Sequence, residues 1–143
     1  MREASALTGS WALDAFELRS ADGSVSHPYG RRLRGYLFYN DDGYMSAAFM
    51  NAERRHGGTD DLAEAALESS YDQFMAYTGP YEVRGDKITH RVEVSSLEAW
   101  IGSVQERWFK LDGDRLELLT APLSVGGESP VARLVWHRVA KTR

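Results

Sequence analysis

The stretch from Lys87 to Thr120 is where pattern alone puts charged and titratable groups inside an apolar wall: period-two alternation in Lys87–Ser95 carries a histidine inward, and strand-pairing parity carries an arginine after it. Successive side chains of a strand point to opposite faces, so the pattern commits this stretch to half-buried β-structure and decides which residues face a core. In Lys87–Ser95 the apolar phase is Ile88, His90, Val92 and Val94; the polar phase is Lys87, Thr89, Arg91, Glu93 and Ser95. Asp112-Gly113-Asp114 is a tight-turn signal between Ser103–Leu111 and Arg115–Thr120, and the second of these strands buries Leu116 and Leu118.

Opposed residues of an antiparallel pair share a face. A turn of two residues (112–113 or 113–114) or of four (112–115) therefore puts Gln105, Arg107, Phe109 and Leu111 inside and sends Glu106 and Lys110 to water. The same arithmetic upstream, with Gly85-Asp86 as the turn, sets Tyr81 opposite His90. If Ser96–Ile101 is the next connection, His90 falls opposite Arg107. The expected inward row is Tyr81, His90 and Arg107 on three neighbouring strands. A slip of two residues preserves its face, whereas a slip of one would turn every side chain outward.

With 143 residues the chain is expected to form one domain, residues 1–143, large enough for a real core. A net charge of −4 and the lack of any basic run give nucleic acid or an anionic membrane little to hold, since phosphate binding needs clustered Lys and Arg. Without cysteine there is no disulfide framework, thiolate nucleophile or Cys-based metal site. The N-terminal MREASALTGSW has no apolar signal-peptide core, and no segment approaches the roughly 18 apolar residues of a membrane span. A cytoplasmic protein is expected, with a homodimer left open.

In chain order, Gly9-Ser10-Trp11 opens a first strand that runs to about Arg19. Its apolar phase changes from Trp11, Leu13 and Ala15 to Phe16 and Leu18, which predicts a bulge near Ala15. Leu33, Gly35, Leu37 and Tyr39 share one face of the second strand. A three-residue turn before Tyr44, with Gly43 at positive φ, would bury Met45, Ala47 and Phe49; a four-residue turn would bury Tyr44, Ser46 and Ala48 instead. Thr59 or Asp60 can cap a helix of about 17 residues, whose stripe runs Ala63, Ala66, Leu67, Ser70, Tyr71, Phe74 and Tyr77 and which Gly79-Pro80 would stop. Val131–Val139 is the last strand. About eight antiparallel strands in hairpin sequence close most economically into an up-and-down barrel, because closure removes exposed edges. The fold class expected is all-β, an eight-stranded antiparallel barrel with one α-helix between strands 3 and 4 covering one end.

Gly9-Ser10-Trp11 near the start and Leu134-Val135-Trp136-His137-Arg138 near the end resemble the closure signature of lipocalin-type barrels, in which a Trp packs under an Arg. Nearly the whole chain is similar to the bacterial and fungal lipocalin-like domain family. The residues that carry this are Asp42-Gly43-Tyr44-Met45-Ser46-Ala47, Ala76-Tyr77-Thr78-Gly79-Pro80-Tyr81, His90 with Val92, Trp100-Ile101-Gly102, and Gln105, Arg107, Phe109, Leu111 with Gly113-Asp114-Arg115-Leu116. The resemblance implies a small calycin-like barrel, sometimes a stand-alone tailoring protein of natural-product pathways. It carries onto Tyr77, Tyr81, His90, Gln105 and Arg107. The helix expected between strands 3 and 4, the lack of cysteines and the lack of a signal peptide depart from secreted lipocalins, so an extracellular transport role does not carry over.

A guanidinium inside a barrel needs a carboxylate, carbonyls, water or an anionic or enol-like guest, because an unpaired buried charge is too costly. Arg107 either braces the interior through Gln105, Tyr81 and backbone or receives such a guest. His90 is either a satisfied core histidine or a general acid/base held neutral by burial and by Arg107. Tyr77 and Tyr81 are packing residues or donors to a ligand oxygen. No HxH, HExxH or two-His-one-carboxylate spacing occurs, so no metal is expected, although haem held by a single His stays open. No nucleotide motif appears, and no cofactor is expected.

The function expected is binding of a small, mostly apolar, oxygen-bearing molecule in the lumen. The alternative is a cofactor-independent isomerase or cyclase acting there on a polyketide- or terpenoid-like substrate, with His90, Arg107 and Tyr81 as its catalytic residues. Ligand-binding positions in either case are Tyr39, Met45, Phe49, Tyr77, Val92, Gln105, Phe109, Leu118 and Trp136.

Overall fold

The alternating stretches become the staves of a closed cylinder. The computed structural model describes residues 2–54, 61 and 74–140. In chain order it contains a short helix α1 (Arg2–Leu7) and strands β1 (Gly9–Arg19), β2 (Val25–Ser26), β3 (Leu33–Tyr39), β4 (Tyr44–Asn51), β5 (Phe74–Arg84), β6 (Lys87–Arg91) and β7 (Val94–Ser95). A 3-10 turn, Glu98–Trp100, leads to β8 (Val104–Asp112), β9 (Arg115–Thr120) and β10 (Val131–Arg138). The circuit runs β1-β3-β4-β5-β6-β8-β9-β10, and β10 pairs with β1 to close eight antiparallel strands into a barrel. The two-residue strands β2 and β7 are side rungs on β1 and β5. Among the described residues no helix is long and apolar enough to cross a membrane.

Turn chemistry sets the register. Arg84 faces Lys87 and Asp112 faces Arg115, so Gly85-Asp86 and Gly113-Asp114 are two-residue turns. Asn40 N–H bonds Tyr44 O across Asp41-Asp42-Gly43, with Gly43 at φ +93°, a conformation that costs glycine nothing. This is the three-residue alternative, and Met45, Ala47 and Phe49 are buried. The bulge of β1 falls between Leu13 and Ala15. Tyr81 faces His90 as the parity required. His90, however, faces Gln105, and Arg107 faces Ile88: the β6–β8 register has slipped by two residues, which leaves every face unchanged. The slip arises because the connection closes on Val92, whose N–H bonds Ser103 O and whose carbonyl accepts from Gly102 N–H.

The helix expected between strands 3 and 4 needs correction. Residues 62–73 lie outside the described residues, but Phe74 and Tyr77, the end of the expected stripe, belong to β5, facing Met50 and Ala47 of β4. Met75, Tyr77, Gly79 and Tyr81 form a period-two inward row that runs straight through the supposed Gly79-Pro80 stop. A step of three from Phe74 to Tyr77 keeps both on one face of a helix but sets them on opposite faces of a strand, and here strand pairing across the barrel decides. Gly79 is required for a different reason: a Cβ there would lie 1.8 Å from the Arg91 carbonyl oxygen, where β6 gives way to β7.

The α-helix described is α1, at the N-terminus, which sequence patterning did not reveal. It seals one end of the cylinder with Leu7, fully buried, over the equally buried Trp11. Trp11 Nε1–H donates to Leu7 O at 2.9 Å. Arg138 lies 4.3 Å from the centroid of the Trp11 ring and donates to the carbonyls of Thr8 and Ala6, each at 2.9 Å. A cation and an indole N–H thus satisfy carbonyls that a helix C-terminus leaves without partners.

Candidate functional site

Above this seal the lumen carries an aromatic column with an imidazole in it. β6 presents His90, fully buried, to the lumen, where tyrosines of β3 and β5 reach both of its ring nitrogens. Tyr39, at the end of β3, bonds Nε2 at 2.7 Å, and Tyr77, on β5, bonds Nδ1 at 3.0 Å. Burial drives the His90 pKa well below its usual range, with the Arg107 charge pushing the same way, so the ring is neutral and has one N–H. Burial above all raises the Tyr39 pKa far above the ordinary phenol, so Tyr39 keeps its proton. The shorter bond fits an O–H donor and the longer one an N–H donor, typically about 2.7–2.8 Å and about 2.9–3.0 Å. We therefore assign Tyr39 O–H to Nε2 and the ring proton to Nδ1, donating to Tyr77 Oη. Tyr77 then has its own O–H left to direct elsewhere. With both ring nitrogens engaged, His90 has none to offer a haem iron.

Arg107, on β8, is only 4% exposed. Its Nη1 donates to Glu106 O at 2.9 Å, and its guanidinium carbon stands 5.6 Å from the centroid of the Trp100 ring, a weak cation–π contact. Among the described residues it forms no ion pair with a carboxylate. It borders a cavity of about 40 Å³, room for on the order of two or three waters. Phe16, Leu37, Ala47, Phe49, Leu118 and Leu134 make most of its apolar wall. Tyr77, Trp100, Arg107, Thr120 and Trp136 supply every polar or aromatic-polar edge described there, and Leu123 and Ala132 complete the lining.

Of the residues singled out from sequence, the structure brings Phe49, Tyr77, Arg107, Leu118 and Trp136 to this cavity. His90 and Tyr39 stand behind Tyr77. The Tyr81 hydroxyl points to the sealed end, where it donates to Asn40 O at 2.8 Å; burial is the main cause of its raised pKa. Gln105 is half-buried and donates to Ser103 Oγ. Met45 and Val92 are core residues, and Phe109 packs at the edge of that core; none of the three is on the cavity wall. Thr120 was legible, since it continues the inward phase of Leu116 and Leu118, and Phe16 follows from the bulge. Leu123 lies in an aperiodic loop and gave no signal. Among the described residues no group of three or more His, Cys, Asp or Glu could hold a metal ion.

Residues 8–139 match the family model described as a lipocalin-like domain. The chain belongs to the lipocalin-like domain family. Within it, a 93-residue segment is 32% identical to the 4'-hydroxy-3'-methoxypropiophenone carrier protein ppsC of Aspergillus oryzae, covering 59% of this chain and 80% of that protein. A lipocalin-like protein from Bacteroides uniformis superimposes with a TM-score of 0.50 at 14% identity, over 94% of this chain and 99% of that one, which speaks for the fold alone. A protein from Bacteroides eggerthii gives a TM-score of 0.48 at 16% identity, over 93% and 99%.

Proposed function

We propose that the protein binds a small, mostly apolar molecule bearing oxygen in the lumen of its barrel, as a carrier. The observation that carries this reading is Arg107: a guanidinium almost wholly buried beside a cavity, with one carbonyl and one aromatic face as its described partners. A charge so placed is stabilised when a guest oxygen joins it. The apolar wall suits the rest of such a guest, and a relative described as an aryl-ketone carrier points to the same chemistry. A guest of aromatic-ring size is larger than the cavity as it stands, so binding requires the wall to yield, most simply at the Leu123 loop between β9 and β10.

Trp100 and Trp136 report directly, since both line the cavity. Titration with 4'-hydroxy-3'-methoxypropiophenone is expected to quench tryptophan emission saturably. Ala47→Leu, which fills the lumen, is expected to abolish the quench while leaving the far-UV circular dichroism unchanged. A wild-type protein whose emission does not respond would refute the proposal.

A cofactor-independent isomerase or cyclase at the same site draws support from the Tyr39–His90–Tyr77 chain, which ends at the cavity. In that reading Tyr77 is the group that would touch substrate, with His90 behind it. Mass and NMR analysis of the ligand recovered after incubation separates the two: unchanged ligand means a carrier, rearranged ligand an enzyme.

A further inference from the structure

We infer that the guest is held as an oxyanion, the ionised form of a phenol or enol, with Arg107 as its counter-ion and the indole N–H of Trp136 as a second donor. This rests on the binding reading above and specifies its ligand. Two observations carry it. First, the described cavity lining contains Arg107 but no carboxylate or carboxamide, from any strand or loop. Among the described residues, the titratable groups that face a guest there are Arg107 on β8 and Tyr77 on β5, with His90 of β6 behind Tyr77. Arg107 can only donate, and Tyr77, accepting from His90 Nδ1–H, has its own proton to give. Second, the buried side-chain nitrogen or oxygen that lacks any partner among the described residues is Trp136 Nε1, on a ring that forms part of the same wall. An N–H donor cannot be satisfied by another donor.

The polar complement of the lumen therefore calls for acceptors and carries a positive charge. It disfavours amines and other cations, and it favours an acidic hydroxyl that has lost its proton over the same hydroxyl capped by a methyl group. The Arg107 charge, which has no carboxylate partner among the described residues, lowers the pKa of a bound acid, as it helps to lower that of His90.

Two probes and two variants test this. The probes are 4'-hydroxypropiophenone, whose phenolate absorbs at longer wavelength than its phenol, and its 4'-methoxy ether, which cannot ionise. The phenol is expected to bind at least about tenfold tighter than the ether and to show the phenolate band at a pH where the free compound is neutral. Arg107→Gln should remove that band and weaken the phenol by about a hundredfold, with little effect on the ether. Trp136→Phe, which keeps the ring and loses the N–H, should weaken the phenol by up to about tenfold and the ether less, because the lost donor serves the oxyanion. Equal affinities with a neutral-phenol spectrum would overturn this inference and leave the carrier reading standing. Failure of both probes to bind wild type would overturn both.

Discussion

His90 is satisfied from both sides, and its energetics follow from what would be orphaned without it. His90→Phe leaves the hydroxyls of Tyr39 and Tyr77 buried without their partner, at about 1–3 kcal/mol each. A loss of about 2–4 kcal/mol in urea unfolding at pH 7.5 is expected. The same residue sets an acid limit. Its folded pKa lies below the unfolded value of 6.5, so the unfolded chain takes up a proton that the folded one refuses. The stability it contributes is complete above pH 6.5 and is lost as pH falls from there towards the folded pKa, at up to about 1.4 kcal/mol per pH unit. Urea midpoints measured from pH 7.5 to 5 should fall in the wild type, and less steeply in the variant. Equal slopes would show that His90 is not buried neutral.

At the scale of elements, two junctions hold the cylinder together. Where β1 meets β10, Arg138 covers Trp11 and ties down the end of α1. Arg138→Met forfeits a cation–π contact of about 0.5–2 kcal/mol and two charge-assisted bonds that partial exposure weakens, for about 2–3 kcal/mol in total. Limited proteolysis should then cleave first near residues 2–8, while the lumen still binds ligand. Where β6 gives way to β7, Gly79 of β5 lies against the Arg91 backbone. Gly79→Ala forces the two strands apart and should cost about 3 kcal/mol or more, unlike a substitution at a turn glycine. A Gly79→Ala protein with wild-type thermal stability would show that the approach is not tight.

For the molecule as a whole, ring closure means that each stave of the circuit pairs on both sides, so no stave can be loosened in isolation. Flexibility sufficient to admit a guest is then expected in the connections, and ligand bound only by the folded state must stabilise it. At a free concentration of a hundred times Kd, a bound aryl ketone should add about 2.7 kcal/mol and raise the thermal midpoint, while the lumen-filled Ala47→Leu protein should gain nothing. Calorimetric scans with and without ligand make the comparison.

How much of this was legible in the sequence differs by the range of the interaction concerned. Period two, the turn residues and the bulge determined which side chains point inward, including His90 and Arg107, because facing depends only on neighbours along the chain and on parity. Partners were a different matter. The sequence placed His90 against Arg107, but the connection after Val92 shifted the register by two residues, and Tyr39, from a strand three places away in the barrel, became the imidazole's partner. The stripe ending at Tyr77 fitted a helix until pairing with β4 claimed it for a strand. Hydrogen-bond partners, the orphaned indole N–H and the size of the lumen were decided by closure alone, since only a completed ring brings residues distant in sequence to within bonding distance and excludes the water that would otherwise satisfy them.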